Sequence, residues 1–526
     1  MKLLNSILFL TLLATSVLFT ACGDDDSNPQ PSNDTIDVTG KVSDDAGAAL
    51  EGVTITSMLD INKTATTAAD GTYSITVDKN DKLTFEKEGY ESFEAAPAAT
   101  LDVVLNRTPS TKFAAYFSEA GNMVADPLLD ANSLKPGAMP GSLSAYPAGF
   151  DQVTYKGAID PNGTPWYNGW SFFSRIVTGE LTSAPITTGT VEVWDDAKMA
   201  AAGNTVNWTS DKTYVLDGFV FVNDGQTLNI EAGTVIQGKP GEDVNASALI
   251  IARGGKIMAE GTAQNPIIFT YEGDNGGSSA TLRGQWGGLI ILGKARLNST
   301  PGESAIEGLP TNEVRGLYGG TDDADNSGVL RYVSIRHGGT NIGADNEING
   351  LTLGGVGSGT TIEYVEIVGN KDDGIEWFGG APTIKYLISA FCADDGLDYD
   401  EGYRGKTQFA IVYQDPTPDA ADRGGEHDGG TDPETGTPYA TPVFYNVTSV
   451  GNSGSRTITF RDNAGGEYHN SIFVNFGKGI DIEDLLGQDQ DSFKQWEDGN
   501  LKLENNLFFN IGAGNEPDKI FTVTAN

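Results

Sequence analysis

Short runs of alternating apolar and polar residues, separated by glycine-containing turns, occupy most of this chain. Val38-Thr39-Gly40-Lys41-Val42 and Thr72-Tyr73-Ser74-Ile75-Thr76-Val77 are two such runs. Alternation with a period of two places every second side chain on the same face of a β-strand. Long segments with the helical period of about 3.6 residues are missing from the sequence. The pattern therefore predicts an all-β fold built from many short strands joined by tight turns.

The second half of the chain repeats with a fixed period. Residues 361–380 align with residues 383–402 at an offset of 22 residues, and a weaker third copy covers residues 468–482. The alignment matches Asp372-Asp373-Gly374-Ile375-Glu376-Trp377 with Asp394-Asp395-Gly396-Leu397-Asp398-Tyr399. Such a unit is one rung of a solenoid, because it buries its apolar side only when the next rung stacks on it.

These repeats give the region from Val191 to the C-terminus a recognisable family likeness. It resembles the pectin-lyase-like proteins, which are right-handed parallel β-helices. The resemblance implies a solenoid over residues 191–526. Leucine-rich repeats are the main structural rival, but their leucine and asparagine spacing is absent from this sequence.

A smaller unit is expected before the solenoid. Residues 36–107 contain Gly40-Lys41-Val42, the turn Asp70-Gly71 followed by Thr72-Tyr73-Ser74-Ile75, and Gly89-Tyr90. This pattern resembles the carboxypeptidase-regulatory-like domain, which implies a small β-sandwich with an accessory role. Residues 108–190, rich in proline and aromatic residues, are predicted to be a linking or capping region.

The aromatic residues of that region allow two interpretations. They form either a sugar-stacking platform or a packed cluster that covers one end of the next domain. The residues are Trp166, Tyr167, Trp170, Phe172 and Phe173.

The N-terminus predicts export. Lys2 precedes an apolar run that ends at Phe19, and Cys22 follows the small residue Ala21. This resembles a lipoprotein signal, which implies a signal peptide over residues 1–21 and an acylated Cys22 that holds the protein at a membrane. Residues 22–35 are expected to form a flexible acidic linker, and the acidic run after Cys22 resembles the surface-export signal of Bacteroidetes-type lipoproteins. We therefore expect an outer-membrane lipoprotein at the cell surface; a merely solvated linker is the alternative.

The amino-acid composition limits the classes of molecule that we expect the protein to bind. The 72 acidic residues against 33 basic ones give a formal net charge of −39, so we expect no nucleic-acid partner, because that binding requires neutralisation of phosphates. The same charge suits divalent cations or solubility alone. If Cys22 is acylated, Cys392 has no partner, and we expect it to be a buried, unreactive thiol.

The aligned acidic motifs are the first candidate site. Glu376 and Asp398 have the parity of outward-facing residues, and the 22-residue offset stacks them on adjacent rungs. Like charges about 4.8 Å apart repel by roughly 3.5 kcal/mol at an effective dielectric constant near 20, so the stack needs a cation, a raised pKa or a basic partner. Calcium, which takes several carboxylate oxygens, is the expected cofactor. The predicted ligands are Asp373, Glu376, Asp395, Asp398 and Asp400.

A second calcium site is expected in a loop. Asp323, Asp325 and Ser327 have the D-x-D-x-S-G spacing of calcium loops outside EF-hands. The alternative for both calcium sites is a set of acidic turns that face solvent.

Paired carboxylates also suggest hydrolysis of a glycosidic bond. Asp394-Asp395-Gly396 resembles the double-aspartate motif of polygalacturonase-type enzymes, and Asp398 is a further candidate. The Gly-His-Gly of that family is missing, and we expect residues 424–430, which contain His427, to be a loop. A polysaccharide lyase would need a base such as Arg461, although a salt-bridge role is the alternative for that residue.

Three functions remain open from the sequence. We favour a cell-surface lipoprotein whose β-helix binds an extracellular ligand, a glycan, with calcium on its acidic face. A polysaccharide lyase or glycoside hydrolase on the same scaffold, and a structural or adhesive surface protein, are the alternatives. The fold does not determine which of these three functions the protein has, because one fold supports many functions.

Overall fold

The computed structural model describes residues 34–526 apart from 180–185, 187–188, 311, 344–345, 431–432, 487 and 489. Cys22, the predicted signal and nearly all of the predicted linker lie outside the described residues. The chain divides into two units, one ending at Arg107 and the other beginning at Thr108. In the described part of the chain, no helix has the length and apolar character needed to span a membrane.

The first unit contains two sheets, in which most strand pairs are antiparallel, around one apolar core. In the first sheet, Thr35–Asp44 lies between Thr72–Asp78 and Val103–Leu105. The second sheet has the strand order Thr64–Thr66, Thr54–Ser57, Leu83–Glu86 and Phe93–Ala95. The alternating apolar residues of these strands point between the sheets, and Val38, Val42, Ile55, Val77 and Phe85 are fully buried.

The second unit is a parallel β-helix, so the predicted fold class of a small sandwich followed by a β-helix is confirmed. One of its long sheets, here named sheet A, has ten strands within the described residues. They are Phe219–Val222, Ala248–Ile251, Leu289–Leu292, Leu351–Gly354, Ile375–Phe378, Leu397–Asp400, Gly425–Asp428, Arg456–Arg461, Lys478–Asp484 and Phe521–Ala525.

The other long sheet, sheet B, wraps around a corner and has eighteen strands in the described chain. Thr361 pairs with Thr383 and Val368 with Ala390, so the 22-residue repeat is the register between neighbouring rungs. The strands are Met123–Val124, Thr190–Trp194, Thr205–Trp208, Lys212–Leu216, Thr227–Ile230, Val235–Gly238, Lys256–Glu260, Ile267–Tyr271, Gly328–Arg336, Thr361–Val368, Thr383–Ala390, Lys406–Tyr413, Val443–Tyr445, Thr448–Val450, Gly466–His469, Ile472–Val474, Leu501–Glu504 and Leu507–Phe509.

Aromatic rings stack along the solenoid core. The ring of Tyr399 lies 4.2 Å from that of His427, and Phe444 lies 4.6 Å from Tyr468. His427 is fully buried in the strand Gly425–Asp428, so the prediction of a loop at residues 424–430 is wrong. The inward histidine continues the aromatic column, and the strand that carries it pairs with Leu397–Asp400 on one side and Arg456–Arg461 on the other.

Short helices and two small strand pairs complete the second unit. The helices are α1 (Pro109–Glu119), α2 (Phe172–Val177), α3 (Asp196–Ala201), α4 (Ser492–Glu497) and α5 (Pro517–Ile520), with 3₁₀ turns at Asp243–Asn245 and Val314–Gly316. The pairs are Ser304–Ala305 with Leu317–Tyr318, and Asn341–Gly343 with Asn346–Glu347. Helix α1 packs on the last rung, where the ring of Phe113 stacks 4.8 Å from that of Phe521.

After α1 the chain runs back along sheet B, and we call residues 120–177 the returning segment. Met123 pairs with Leu507, the Ser144 amide donates to Asn470 Oδ1 at 2.7 Å, and the Asp151 amide donates to Gln408 Oε1 at 2.8 Å. These contacts lie on successively earlier rungs. Within the region expected to link or cap, α1 therefore covers the last rung, and the returning segment covers a flank of the solenoid.

The predicted aromatic cluster lies on this flank. Trp166 makes edge contacts with Tyr364 and Tyr386, and Trp170 with Tyr332. Trp170 is only 3% exposed, so its ring is not available for stacking against a sugar. The expectation that the cluster covers one end of the solenoid is wrong, because the returning segment carries it alongside three rungs.

Candidate functional site

Sheet A carries an acidic groove on its outer side. The groove has a volume of about 380 Å³, and eight of the nine described residues that line it are acidic. The lining residues are Glu307, Asn349, Asp372, Asp373, Glu376, Asp394, Asp395, Asp398 and Glu426. Most of them lie on consecutive rungs, in a strand of sheet A or in the turn before it, whereas Glu307 comes from the long connection between Leu292 and Gly328.

The predicted stack of acidic residues forms the floor of the groove. Glu376 pairs in register with Asp398, and Asp398 pairs in turn with Glu426. Sequence reasoning missed Glu426, although the sequence carries a signal for it. Gly424-Gly425-Glu426-His427-Asp428 has the same order of glycine, acidic and aromatic or histidine positions as Gly396-Leu397-Asp398-Tyr399-Asp400.

Three aspartates converge beside this row. Asp373, Asp395 and Asp398 each offer a carboxylate oxygen, and the three oxygens lie within 4.8 Å of one another. The Asp395 amide donates to Asp373 Oδ1 at 2.8 Å, which fixes the two turns relative to each other. The neighbouring sets Asp372–Asp373–Asp394 and Asp394–Asp395–Asp422 meet the same distance limit. The groove thus offers overlapping sets of oxygen ligands.

Within the part of the chain that the structure describes, three buried oxygen atoms of the groove lining have no hydrogen-bond partner, and one of them, Oε1 of Glu426, lies in an ion pair 3.0 Å from Arg461 Nη1. The other two are Oδ1 of Asp395, a residue that is 1% exposed, and Oδ1 of Asn349, which is 2% exposed. Asn349 is oriented by its own amide, which donates to Glu376 Oε2. Buried polar atoms in folded proteins almost always have a partner, and either a proton on a neighbouring carboxyl group or a bound cation would satisfy these two acceptors.

The groove also raises the pKa of its carboxyl groups. Burial is the largest cause for each, and a neighbouring carboxylate adds to it: Asp398 for Asp373, Glu426 for Asp395 and Glu376 for Asp398. The pKa of Glu376 is raised by burial and by Asp373. Holding this set of groups ionised at neutral pH therefore requires positive charge nearby.

Arg423 supplies part of that charge at one side of the groove. Its Nη1 lies 3.3 Å from Asp395 Oδ2 and 3.1 Å from Glu426 Oε2. Even with Arg461, whose Nη1 lies 3.0 Å from Glu426 Oε1, two guanidinium groups do not balance eight acidic side chains. Arg423 contacts Oδ2 of Asp395, while Oδ1 of the same carboxylate has no hydrogen-bond partner among the described residues.

Arg461, the predicted base, lies on the outer side of the next strand and does not line the groove. Its Nε donates to Asp428 Oδ1 at 2.7 Å, and its Nη1 lies 3.0 Å from Glu426 Oε1. The hydrogen bond to Asp428 is the largest cause that raises the pKa of Arg461. The guanidinium is therefore a stable cation that holds two carboxylates, a poor arrangement for removing a proton.

The remaining predicted ligands lie outside the groove lining. Asp400 pairs in register with Phe378, two positions beyond Asp398. In the predicted calcium loop, Asp323 accepts from Arg296 Nε at 2.9 Å and from Arg404 Nη2 at 3.0 Å, and Asp325 accepts from Ser327. Burial raises the pKa of Asp323, but the hydrogen bonds from Arg296 and the charges of Arg404 and Arg296 together bring it below its ordinary value. At this loop, the guanidinium groups of Arg296 and Arg404 therefore supply the positive charge that calcium was expected to supply.

The chemistry of the groove follows from these distances. Ionised carboxylates and amide oxygens are ligands for a hard divalent cation such as calcium. The same carboxyls, protonated, would be acids of the kind that glycoside hydrolases use. Asp394, Asp395 and Asp398, the three predicted catalytic carboxyls, all line the groove.

Comparison with known proteins places the solenoid in a family. The sequence profile of the pectate-lyase-like β-helix domain matches residues 200–525. No curated protein matches the chain. Among solved structures, the Streptococcus pneumoniae surface protein and adhesin PfbA is similar at 10% sequence identity over 66% of this chain and 98% of that chain, with a TM-score of 0.16. A score this low has no bearing on the function of this chain.

Proposed function

Because this chain belongs to the pectate-lyase-like β-helix family, we propose that its solenoid is a binding scaffold whose acidic groove holds calcium and, through it, an extracellular glycan. The observation that carries the proposal is the buried, unpartnered Oδ1 of Asp395. The Asp395 carboxylate also belongs to a set in which Asp373, Asp395 and Asp398 each place one oxygen within 4.8 Å of the others.

A divalent cation accounts for the features that the protein alone leaves unbalanced. It would accept electron pairs from the carboxylates of Asp373, Asp395 and Asp398, and Oδ1 of Asn349 is a neutral candidate beside them. It would also lower the pKa values that burial and mutual repulsion raise, because a nearby positive charge favours the ionised form. The hard oxygen ligands favour calcium over a softer metal.

The glycan part of the proposal rests on the shape and charge of the groove. The groove is lined by residues of consecutive rungs, from Asn349 to Glu426, so an extended chain molecule is able to contact several rungs at once. Bare carboxylates would repel an acidic sugar, whereas a cation that keeps free coordination positions would bind its hydroxyl or carboxylate oxygens. The cation is thus the element that makes the face attractive to such a ligand.

The proposal also includes the place where the protein works. Acylation of Cys22 would anchor the chain, and the acidic residues after it would direct the protein to the cell surface. Incorporation of labelled palmitate that disappears in Cys22→Ala supports this part of the proposal. Absence of label in the unaltered chain contradicts it.

Calcium binding is tested by isothermal titration of calcium chloride into the full chain. We expect saturable binding that weakens by at least about tenfold in Asp395→Asn, which removes one ligand charge. Asp481→Asn is the matched control: Asp481 lies in the same outward row, but its carboxylate is held by Thr522 and Thr524 at 2.6 and 2.7 Å. Absence of binding, or equal loss in both variants, overturns the calcium proposal.

Glycan binding is tested by affinity electrophoresis in gels that contain an acidic or a neutral polysaccharide, with calcium or with chelator. We expect calcium-dependent retardation by an acidic polysaccharide, without shortening of the polymer. Calcium-dependent shortening that Asp395→Asn abolishes would replace the binding proposal with a lyase or hydrolase. Retardation by no polysaccharide would leave an adhesive or structural role.

A further inference from the structure

The first unit exposes three large apolar side chains on a single hairpin loop. The loop joins Thr54–Ser57 to Thr64–Thr66, and the exposed residues are Met58 at 48%, Leu59 at 68% and Ile61 at 75%. Exposed apolar residues are common singly, but three within four positions form a patch that water solvates poorly. We refer to residues 58–61 as the apolar tip.

The apolar tip is held in a defined shape. The Leu59 amide donates to Asp81 Oδ1 at 3.0 Å, and the Met58 amide donates to the Lys82 carbonyl at 2.9 Å. Asp60 directs its carboxylate back into the turn, where the Asn62 amide donates to it at 3.2 Å. The three side chains therefore project from a fixed hairpin.

The tip lies at the end of the sandwich where the chain enters from the N-terminal side. The same turn between Asp78 and Lys82 that binds the tip also binds Asp34, since the Lys79 amide donates to the Asp34 carbonyl at 3.0 Å. The exit is at the other end of the first strand, where Asp44 pairs with Leu105 and Arg107 binds Asp45 at 2.8 Å. Ten residues of strand, roughly 33 Å, separate the two ends.

We propose that the apolar tip inserts into the lipid bilayer that holds the anchor. The insertion would fix the first unit on the membrane so that the end at which the chain enters the sandwich faces the bilayer. This rests on the proposed acylation of Cys22. Eleven residues separate Cys22 from Asp34, and a chain of that length spans at most about 40 Å, so the anchor keeps this end of the sandwich near the membrane. At that short distance, burial of Met58, Leu59 and Ile61 among acyl chains removes apolar surface from water at little further entropic cost.

The test tethers the chain without using its own acyl group. A hexahistidine tag replaces residues 1–22 and binds vesicles of phosphatidylcholine that contain a nickel-chelating lipid. Ile61→Cys is labelled with a polarity-sensitive fluorophore, and Cys392 is 4% exposed, so that the label goes to position 61. Val104→Cys is the matched control, because Val104 is 55% exposed in the same unit but lies beside the exit end.

We expect a blue-shifted emission and protection from iodide quenching at position 61, and an aqueous signal at position 104. Met58→Ser combined with Leu59→Ser should reduce the inserted fraction by at least about tenfold. Equal quenching at the two positions on tethered vesicles overturns the proposal and leaves the tip as a surface for a protein partner. Because the nickel lipid replaces the acyl chain, that result is separate from a failure of Cys22 acylation.

Discussion

His427 shows how a single residue in the core links the stability of the solenoid to pH. Its ring is fully buried, Nε2 lies 2.8 Å from the Tyr468 hydroxyl, and burial lowers its pKa to about 3. In the unfolded chain the pKa returns to about 6.5. Below that value the unfolded state binds a proton that the folded state does not, so the stability falls as the pH falls.

We therefore expect His427→Phe to remove part of the acid sensitivity. Between pH 7 and pH 5 the unfolding free energy of the unaltered protein should fall by about 2 kcal/mol relative to that of His427→Phe. Urea unfolding at both pH values measures this difference. Tyr468→Phe, which deletes the same hydrogen bond but keeps the imidazole, is the control and should retain the acid sensitivity. Parallel pH profiles for His427→Phe and the unaltered protein would show that His427 is not the linked group.

At the scale of single residues, the sequence predicts which side chains lie beside each other wherever the 22-residue repeat has no insertion. The 22-residue offset predicts that Glu376 lies beside Asp398, because the register between those rungs has no insertion. Glu426 follows Asp398 by 28 residues, and this change of spacing concealed its place in the same row. The unpartnered oxygen of Asn349 was out of reach of the sequence, since it depends on where neighbouring side chains leave no donor.

Among the elements, helix α2 depends on one buried carboxylate of the solenoid. Glu366 is 0% exposed and accepts from the amides of Phe172 at 2.7 Å and Phe173 at 3.1 Å. Its carboxylate also accepts from Ser334 and lies 3.8 Å from the buried guanidinium of Arg336. It therefore satisfies the free amides at the start of the helix, which would otherwise be buried without an acceptor.

We expect Glu366→Ala to destabilise the protein by about 3–5 kcal/mol, because it removes the carboxylate that faces the buried Arg336 and leaves two amides without their acceptor. Denaturant unfolding measures the loss, and limited proteolysis should show faster cleavage within residues 166–177. Glu363→Ala in the same strand is the control. Its pairing with Arg331 at 3.2 Å is half-exposed, so its loss should cost less than about 1 kcal/mol. Equal losses in the two variants would contradict this role for Glu366.

The corner of sheet B shows what the sequence could not reveal about an element. Tyr332, Tyr364, Tyr386 and Phe409 occupy equivalent corner positions with φ between 49° and 62°, a region that bulky residues rarely adopt. The stacked rings lie 4.5, 4.3 and 5.1 Å apart from rung to rung, and the tryptophans of the returning segment cover the first three. The repeat aligned Tyr364 with Tyr386, but it does not reveal that a segment more than 150 residues away packs on these rings.

At the scale of the whole second unit, the two ends of the solenoid are closed by different helices. Helix α3 covers the first rungs, where Met199 is fully buried and the Asp196 carboxylate accepts from the Phe221 amide. Helix α1 covers the last rungs through Phe113 and Phe117. The returning segment joins α1 to earlier rungs, so residues that precede the solenoid in sequence close its far end. Nothing in the repeat pattern predicts this path, because it involves non-repeating residues.

This arrangement predicts that a destabilising substitution at one end of the solenoid affects mainly the rungs near that end. Each rung contacts mainly its neighbours, so the stability of a solenoid is close to a sum over adjacent rungs. Phe113→Ala should cost about 3 kcal/mol or more by opening a cavity against Phe521, and amide hydrogen exchange should then accelerate in Lys478–Asp484 and Phe521–Ala525. Met199→Ala, the matched change at the other end, should accelerate exchange in Phe219–Val222 instead. Uniform acceleration along sheet A in either variant would mean that the returning segment couples the two ends into one cooperative unit.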